Sequence, residues 1–261
     1  MAIDTHMHIN SLLIPKYYSS IEGAIKEVNE DDNLSHVINV GLDLDTSKEC
    51  TIISTNNSKF YNSVGIHPLY IEKGQDPKES SKIISSLIDD KTVAIGEIGL
   101  DSIKSNFEVQ KAALIEQIRL ANEEGLPVII HANNSSKDIF HIFDTNISPE
   151  HGCVFHCFQP EFSSLDYMIK HGYYMSFAGR ITYNNARRAY DVLQEVPEDL
   201  LLVETDSPYI SPEPHRSEPG KSSYLSLIIE TIALYKGKDF TPKDIEQITT
   251  ENAKKLFKRL K

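Results

Sequence analysis

Near the start of the chain, Asp4-Thr5-His6-Met7-His8 sets two imidazoles two residues apart. In an extended stretch side chains alternate, so His6 and His8 point the same way and form a pincer for a divalent transition metal. Similar residue types recur: His67 in Gly65-Ile66-His67-Pro68, and Glu97 in Ala94-Ile95-Gly96-Glu97-Ile98-Gly99-Leu100-Asp101. His131 follows Val128-Ile129-Ile130, His156 follows Val154-Phe155, and Asp206 lies in Glu204-Thr205-Asp206-Ser207-Pro208. Imidazoles mixed with carboxylates suit Zn²⁺ or Mn²⁺, whereas a pure oxygen set suggests Mg²⁺ or Ca²⁺. His6, His8, Glu97, His131, His156 and Asp206 are more ligands than one tetrahedral ion with an open position needs, which points to two ions. Glu97, from the middle of the set, is the candidate bridge. Two ions about 3.5–4 Å apart share an activated water and clamp an in-line phosphoryl displacement.

Singly, several of these residues have plainer readings. In isolation His131 and His156 read more readily as packed core histidines, and Asp206 equally as a turn or helix cap. Glu97 resists such an account, because an unpaired carboxylate on an apolar strand is costly to bury. Glu204 shares the side of Asp206 by period two and is a candidate support behind the ligands.

The elements that must position these residues are short apolar, β-branched runs alternating with amphipathic stretches. Strands are predicted near 2–6, 37–41, 61–66, 92–97, 127–131, 152–157, 172–177 and 200–205. The clearest helix runs from Phe107 to Glu124, with Phe107, Leu114, Ile115, Ile118 and Ala121 on one face. Gly125 and Pro127 end it. Thr241-Pro242-Lys243-Asp244 reads as an N-cap with proline at the first helical position. Eight β/α units in 261 residues predict a closed (β/α)8 TIM barrel forming a single domain over 1–261. A doubly wound sheet is the rival, but the glycine-rich turn expected after its first strand is replaced by His-Met-His. In a barrel the strand carboxyl ends converge on one face, so all seven candidates would line one mouth. His36, His151 and His171 precede predicted strands and fall on the opposite face, and His141 sits in a helix.

Composition narrows the classes. Charged residues make up 25%, and 26 Lys and Arg against 38 Asp and Glu give a net charge of −12. That disfavours a binder held to nucleic acid by its own cations, while leaving room for an enzyme that meets phosphates through bound metal. The basic end, Lys254 to Lys261, reads as the last turn of a helix. No apolar run approaches the roughly 18 residues of a membrane span, and no secretory signal opens the chain. The expectation is a cytoplasmic protein. Three cysteines argue against a disulfide framework, and Cys153 and Cys157 around His156 lack the second ligand pair of a zinc finger. They read as buried free thiols.

In order and spacing, these blocks resemble the TatD family of metal-dependent deoxyribonucleases, within the wider amidohydrolase-like barrel group. The resemblance covers essentially the whole chain. It also takes in His156-Cys157-Phe158, the extension of the Asp206 block to Tyr209, and Asn252-Ala253-Lys254-Lys255-Leu256-Phe257. It implies a barrel with two divalent ions (Zn, Mg or Mn) that hydrolyses phosphodiester bonds. His6, His8, Glu97 and Asp206 would hold one ion, and Glu97, His131 and His156 the other. Asp206 would orient or deprotonate the attacking water, and His67 would contact the substrate phosphate. The departures fall at substrate contacts. The arginine common two residues after the strand-five histidine is replaced within Ala132-Asn133-Asn134, and Gln159-Pro160 stands for a small Ser-Gly. A shortened loop reads Pro212-Glu213-Pro214-His215-Arg216-Ser217-Glu218-Pro219, leaving Arg216 and His215 as candidate phosphate contacts.

The expected activity is hydrolysis of DNA, with single-stranded DNA or DNA ends as substrate, because a barrel mouth admits a terminus more easily than duplex interior. The alternatives are an esterase or lactonase acting on a small substrate, and a catalytically silent metal-binding interaction protein. No membrane partner is expected, and the chain is expected to be a monomer or weak homo-oligomer.

Overall fold

The structure, a computed structural model, describes residues 1–104, 106–158 and 162–261. Eight strands appear in chain order: β1 (Ala2–Met7), β2 (Leu34–Val40), β3 (Phe60–Val64), β4 (Thr92–Asp101), β5 (Val128–Asn133), β6 (Cys153–Phe155), β7 (Tyr174–Phe177) and β8 (Leu201–Val203). They form one sheet in the order β1 to β8. The main helices are α1 (Ile21–Glu30), α2 (Leu44–Asn56), α3 (Pro77–Leu87), α4 (Phe107–Glu124), α5 (Ser136–Thr145), α6 (Phe162–His171), α7 (Arg187–Glu195), α8 (Leu225–Lys236) and α9 (Pro242–Leu256). Sequential strands with intervening helices give the β/α alternation of a (β/α)8 barrel. Two strands are shorter than the predicted 152–157 and 200–205, so His156 and Asp206 lie in the turns that follow. His36 lies inside β2, which begins at Leu34, rather than ahead of it. Among the described residues no helix is long and apolar enough to cross a membrane.

By its contacts the chain divides into two compact units, Met1–Ile38 with His156–Lys255, and Asn39–Phe155 with Leu256–Lys261. In the first, β7 and β8 pair in parallel with Phe177 opposite Val203, both essentially fully buried. The end of β1 is tied to the turn after β8, where Asp206 N–H donates to His6 O (2.8 Å) and His8 N–H to Ser207 O (2.8 Å). Helix α9 starts as its sequence predicts: Thr241 and Asp244 cap each other reciprocally, Asp244 Oδ2 accepting from Thr241 N–H at 2.8 Å. Asn252 then donates its amide to the carbonyls of Glu198 (2.6 Å) and Leu201 (2.9 Å), fixing α9 to the start of β8.

In the second unit β3, β4, β5 and β6 run parallel, and every residue of β4 is buried, as expected for a strand covered on both faces. Between Ile95 and Ile98 β4 advances three residues while its partner advances two, from Val128 to Ile130. The extra residue is a bulge at Gly96–Glu97, the kind of local kink that re-aims a side chain. Beyond it β4 stays paired to Asp101 opposite Asn133, four residues past the predicted end at 97. Gly99 makes this possible. Its φ is +149°, and a Cβ there would lie 1.9 Å from His131 O, so only glycine admits β5 this close. Helix α4 has the predicted bounds, closed by Gly125 in the left-handed conformation.

Gly99→Ala should therefore cost more than about 2 kcal/mol in urea unfolding, through strain and overlap together. Gly125→Ala, with positive φ but open space around a new Cβ, should cost about 1 kcal/mol. Equal losses for the two variants would contradict the close approach of β4 and β5.

Candidate metal centre

Ligand-type side chains gather in two clusters, one in each unit. In the first unit His6 and His8 are buried at the end of β1 with Nε2 atoms 3.2 Å apart. Asp206 Oδ1 stands 3.4 Å from His8 Nε2 and 3.8 Å from His6 Nε2. The His156 ring stacks on that of His6 at 4.2 Å. One ligand atom each from His6, His156 and Asp206 falls within 4.8 Å of the others. Burial raises the Asp206 carboxyl, but the hydrogen bond from His8 and the charges of His156, His6 and His8 outweigh it and hold the group below its ordinary value.

The backbone around this cluster is strained where its ligands sit. Asp206 (φ 51°) and Cys157 (φ 42°) adopt the left-handed conformation without being glycine. Two buried carboxylates support that geometry. Asp4 accepts Thr205 N–H (3.0 Å), Thr205 Oγ1–H (2.6 Å) and His6 N–H (3.3 Å), joining β1 to the segment that carries Asp206. Burial pushes Asp4 up to about 6 against those hydrogen bonds. Glu204 accepts the Cys157 N–H and lies 3.4 Å from His156 Nδ1, in the supporting position that period two suggests. The neighbouring thiol of Cys157 is pushed up to about 12 by burial and by Asp206, so it stays protonated at neutral pH. Cys50 and Cys153 are buried free thiols, whereas Cys157 is only partly buried.

In the second unit His67, Glu97 and His131 place one ligand atom each within 4.8 Å. Glu97 Oε1 lies 2.8 Å from His131 Nδ1 and 3.4 Å from His67 Nε2. The two histidines differ in which nitrogen they turn towards Glu97, Nε2 in His67 and Nδ1 in His131. His67 Nδ1 accepts the Leu69 N–H at 3.1 Å, so in the neutral ring Nε2 holds the proton and is a donor. His131 Nε2 faces Asp101 Oδ2 at 3.0 Å, and an ionised carboxylate there can only accept. In the neutral ring that leaves the lone pair of His131 Nδ1 aimed at Glu97. Burial raises the Asp101 carboxyl, but hydrogen bonds from His131, Ile103 and Asn133 prevail and hold it down at about 2.

The first cluster passes a geometric test for a divalent ion. Two donors at 2.0–2.1 Å from one tetrahedral ion stand roughly 3.3–3.4 Å apart. The separations of 3.2, 3.4 and 3.8 Å in the first cluster bracket that value, whereas Glu97 Oε1 and His131 Nδ1 in the second stand closer, at 2.8 Å. His6, His8, His156 and Asp206 stand together, as do Glu97, His131 and His67.

The candidate phosphate contacts His215 and Arg216 make local contacts in the segment after β8. His215 stacks on Tyr224 at 4.3 Å, with Nδ1 3.4 Å from Glu218. The guanidinium of Arg216 lies over the Tyr183 ring at 4.1 Å and 3.9 Å from Glu213. Asn133 donates its amide to Asp101 at 3.2 Å, and Asn134 has φ 50°. Gln159-Pro160 lies outside the described residues. Sequence reasoning missed Asp4 and Asp101 as supports, although both sit at period two from a ligand: Asp4 from His6, and Asp101, through Gly99, from Glu97.

The family model for "TatD related DNase" matches residues 3–258. The chain belongs to that family. It is 33% identical to the uncharacterized metal-dependent hydrolase YabD of Bacillus subtilis, over 99% of each chain. A protein of Enterobacter lignolyticus called 3′-5′ ssDNA/RNA exonuclease TatD is 29% identical over 79% of this chain and 82% of its own. The crystal structure of the TatD homologue YjjV from Escherichia coli superposes with a TM-score of 0.86 at 25% identity, covering 98% of both chains. The fold class is thus the amidohydrolase-like TIM barrel of TatD proteins, and the chain is a metal-dependent hydrolase whose histidines and carboxylates are placed to bind metal.

Asp101→Ala should weaken metal binding about 10- to 100-fold by freeing the His131 ring, with little change in the unfolding midpoint of the metal-free protein. Competition titration with a chromogenic chelator reads the affinity. A variant that binds metal as tightly as wild type would show that Asp101 does not set the ring.

Proposed function

We propose that this TatD-family hydrolase cleaves phosphodiester bonds of DNA, releasing nucleotides from single-stranded ends, with one divalent ion in each cluster. The carrying observation is the pair of largely buried histidine–carboxylate clusters, each bringing three ligand atoms within 4.8 Å of one another. The name of the Enterobacter relative supports single strands and a 3′ end as the point of attack. When bound, the ions lower the pKa of a coordinated water and offset charge on the phosphoryl oxygens.

The chain's own groups supply the rest. His6, His8, His156 and Asp206 would hold one ion, and Glu97 with His131 Nδ1 the other. Asp206, kept ionised by the surrounding imidazoles, orients the attacking water and accepts its proton. His67, its Nδ1 occupied by Leu69 N–H, presents Nε2–H to a phosphate oxygen as charge develops there. Lining residues that are mostly buried limit stray water around the reacting bond.

Single-stranded DNA labelled at either the 3′ or the 5′ end tests the reading. The metal-loaded protein should release labelled mononucleotide first from the 3′-labelled strand, and chelation should abolish the release. Asp206→Ala should lower kcat by at least about a hundredfold. Intact DNA alongside turnover of lactones or carboxylic esters would move the function to small-ester hydrolysis. Inertness towards both, with metal bound, would leave a silent metal-binding protein.

A further inference from the structure

Two arginines stand on the segments that follow β7 and β8, in the same unit as the first cluster, and the hydrolytic steps use neither. Arg180 opens a turn closed by Tyr183, whose N–H donates to Arg180 O at 3.2 Å. Three contacts lock that turn to the segment after β8. Glu213 N–H donates to Thr182 Oγ1 (2.8 Å), and the Tyr183 hydroxyl donates to Ser211 O (3.0 Å). Gly179 lies so close to Ile210 that a Cβ would stand 2.1 Å from its carbonyl oxygen. The Arg216 guanidinium rests over the Tyr183 ring at 4.1 Å. On the other side of β7, Phe158 N–H donates to Ser176 O at 2.8 Å, which sets the residues after His156 alongside the strand end that leads to Arg180. Burial raises both the Tyr183 hydroxyl and the Cys157 thiol, and the Arg180 charge pulls against it in each.

In a chain with 38 acidic side chains against 26 Lys and Arg, surface cations readily find carboxylates. These two are both exposed and barely neutralised. Among the described residues Arg180 forms no ion pair, and Arg216 forms one, with Glu213 at 3.9 Å. Stacking on Tyr183 takes up one face of the Arg216 guanidinium and leaves the N–H donors along its edge, which is the edge that matches a phosphate. A single strand carries one charge per nucleotide and gains most from cations not already paired, because each contact releases a condensed counterion.

From this arrangement we infer that Arg180 and Arg216 form a phosphate clamp that grips the strand beside the linkage being cut, with Tyr183 holding the Arg216 guanidinium in place. The inference rests on the nuclease reading and deepens it. It makes a polyanionic strand of several linkages the preferred substrate over a small ester, because only a strand offers a second charge to the clamp. Phosphate contacts position a strand without reading its bases, so the clamp confers little sequence preference.

Steady-state kinetics on two single-stranded oligonucleotides test it. One has native linkages, and the other carries uncharged methylphosphonates at the second and third linkages from the end the enzyme attacks. Wild type should show a KM at least about tenfold lower for the native strand, the scale of one charge-assisted hydrogen bond. Arg180→Ala should raise KM on the native strand about tenfold with kcat lowered no more than about twofold, and should shift KM on the neutral strand by less than about twofold. The slope of log KM against log salt concentration should also fall by about 0.7, the value of one phosphate contact on a single strand. Arg180→Lys, which keeps the charge, should stay within about threefold of wild type on the native strand. Elemental analysis checks that each variant keeps its metal, and if Arg180→Ala does not, Arg216→Ala decides by the same criteria. Equal KM for the two strands in wild type, or a metal-replete alanine variant whose KM shifts by the same factor on both, overturns the clamp and leaves the nuclease standing. A wild type that cleaves neither strand overturns the nuclease and the clamp together.

Discussion

Imidazole lone pairs and carboxylate oxygens that converge away from water repel one another unless a cation or a proton lies between them. In this chain His6, His8, Glu97 and Asp206 are all at most 6% exposed. Such a set destabilises the fold on its own and stabilises it once divalent ions are present, because ion binding to the native state is itself folding free energy. The rest of each cluster follows from the need to hold these groups against their repulsion.

The holding groups are further carboxylates in each unit. Asp4, Asp101 and Glu204 each accept hydrogen bonds from the backbone or side chains that carry the ligands. They select ring tautomers and fix the entry of each strand into its turn. The backbone contributes in the same sense. A bulge before Ile98 turns Glu97, a glycine at 99 lets His131 approach, and left-handed residues at 157 and 206 bend the chain at the ligands. Such features carry a cost in stability, and they persist where surrounding contacts over-determine them.

Much of this was legible before any coordinates. Period two on an extended N-terminus aligned His6 with His8, and α4 followed from its apolar face and its Gly125 stop. All eight strands lie where short β-branched runs predict them. What escaped was set by partners distant in sequence. The end of β4 is decided by pairing with Asn133, which brought Asp101 into the site. The proton on His67 is decided by the Leu69 N–H. The engagement of Arg216 with Tyr183 depends on where two separate loops meet, which no local pattern encodes.

The central claim is that the two clusters are two ion sites, and counting metal in the chain tests it most directly. Protein stripped by a chelator, reloaded and freed of loosely held metal by gel filtration should retain two ions per chain by elemental analysis. His131→Ala and His156→Ala should each retain one. Fewer than one ion in the wild-type chain, or two in either variant, would contradict the account.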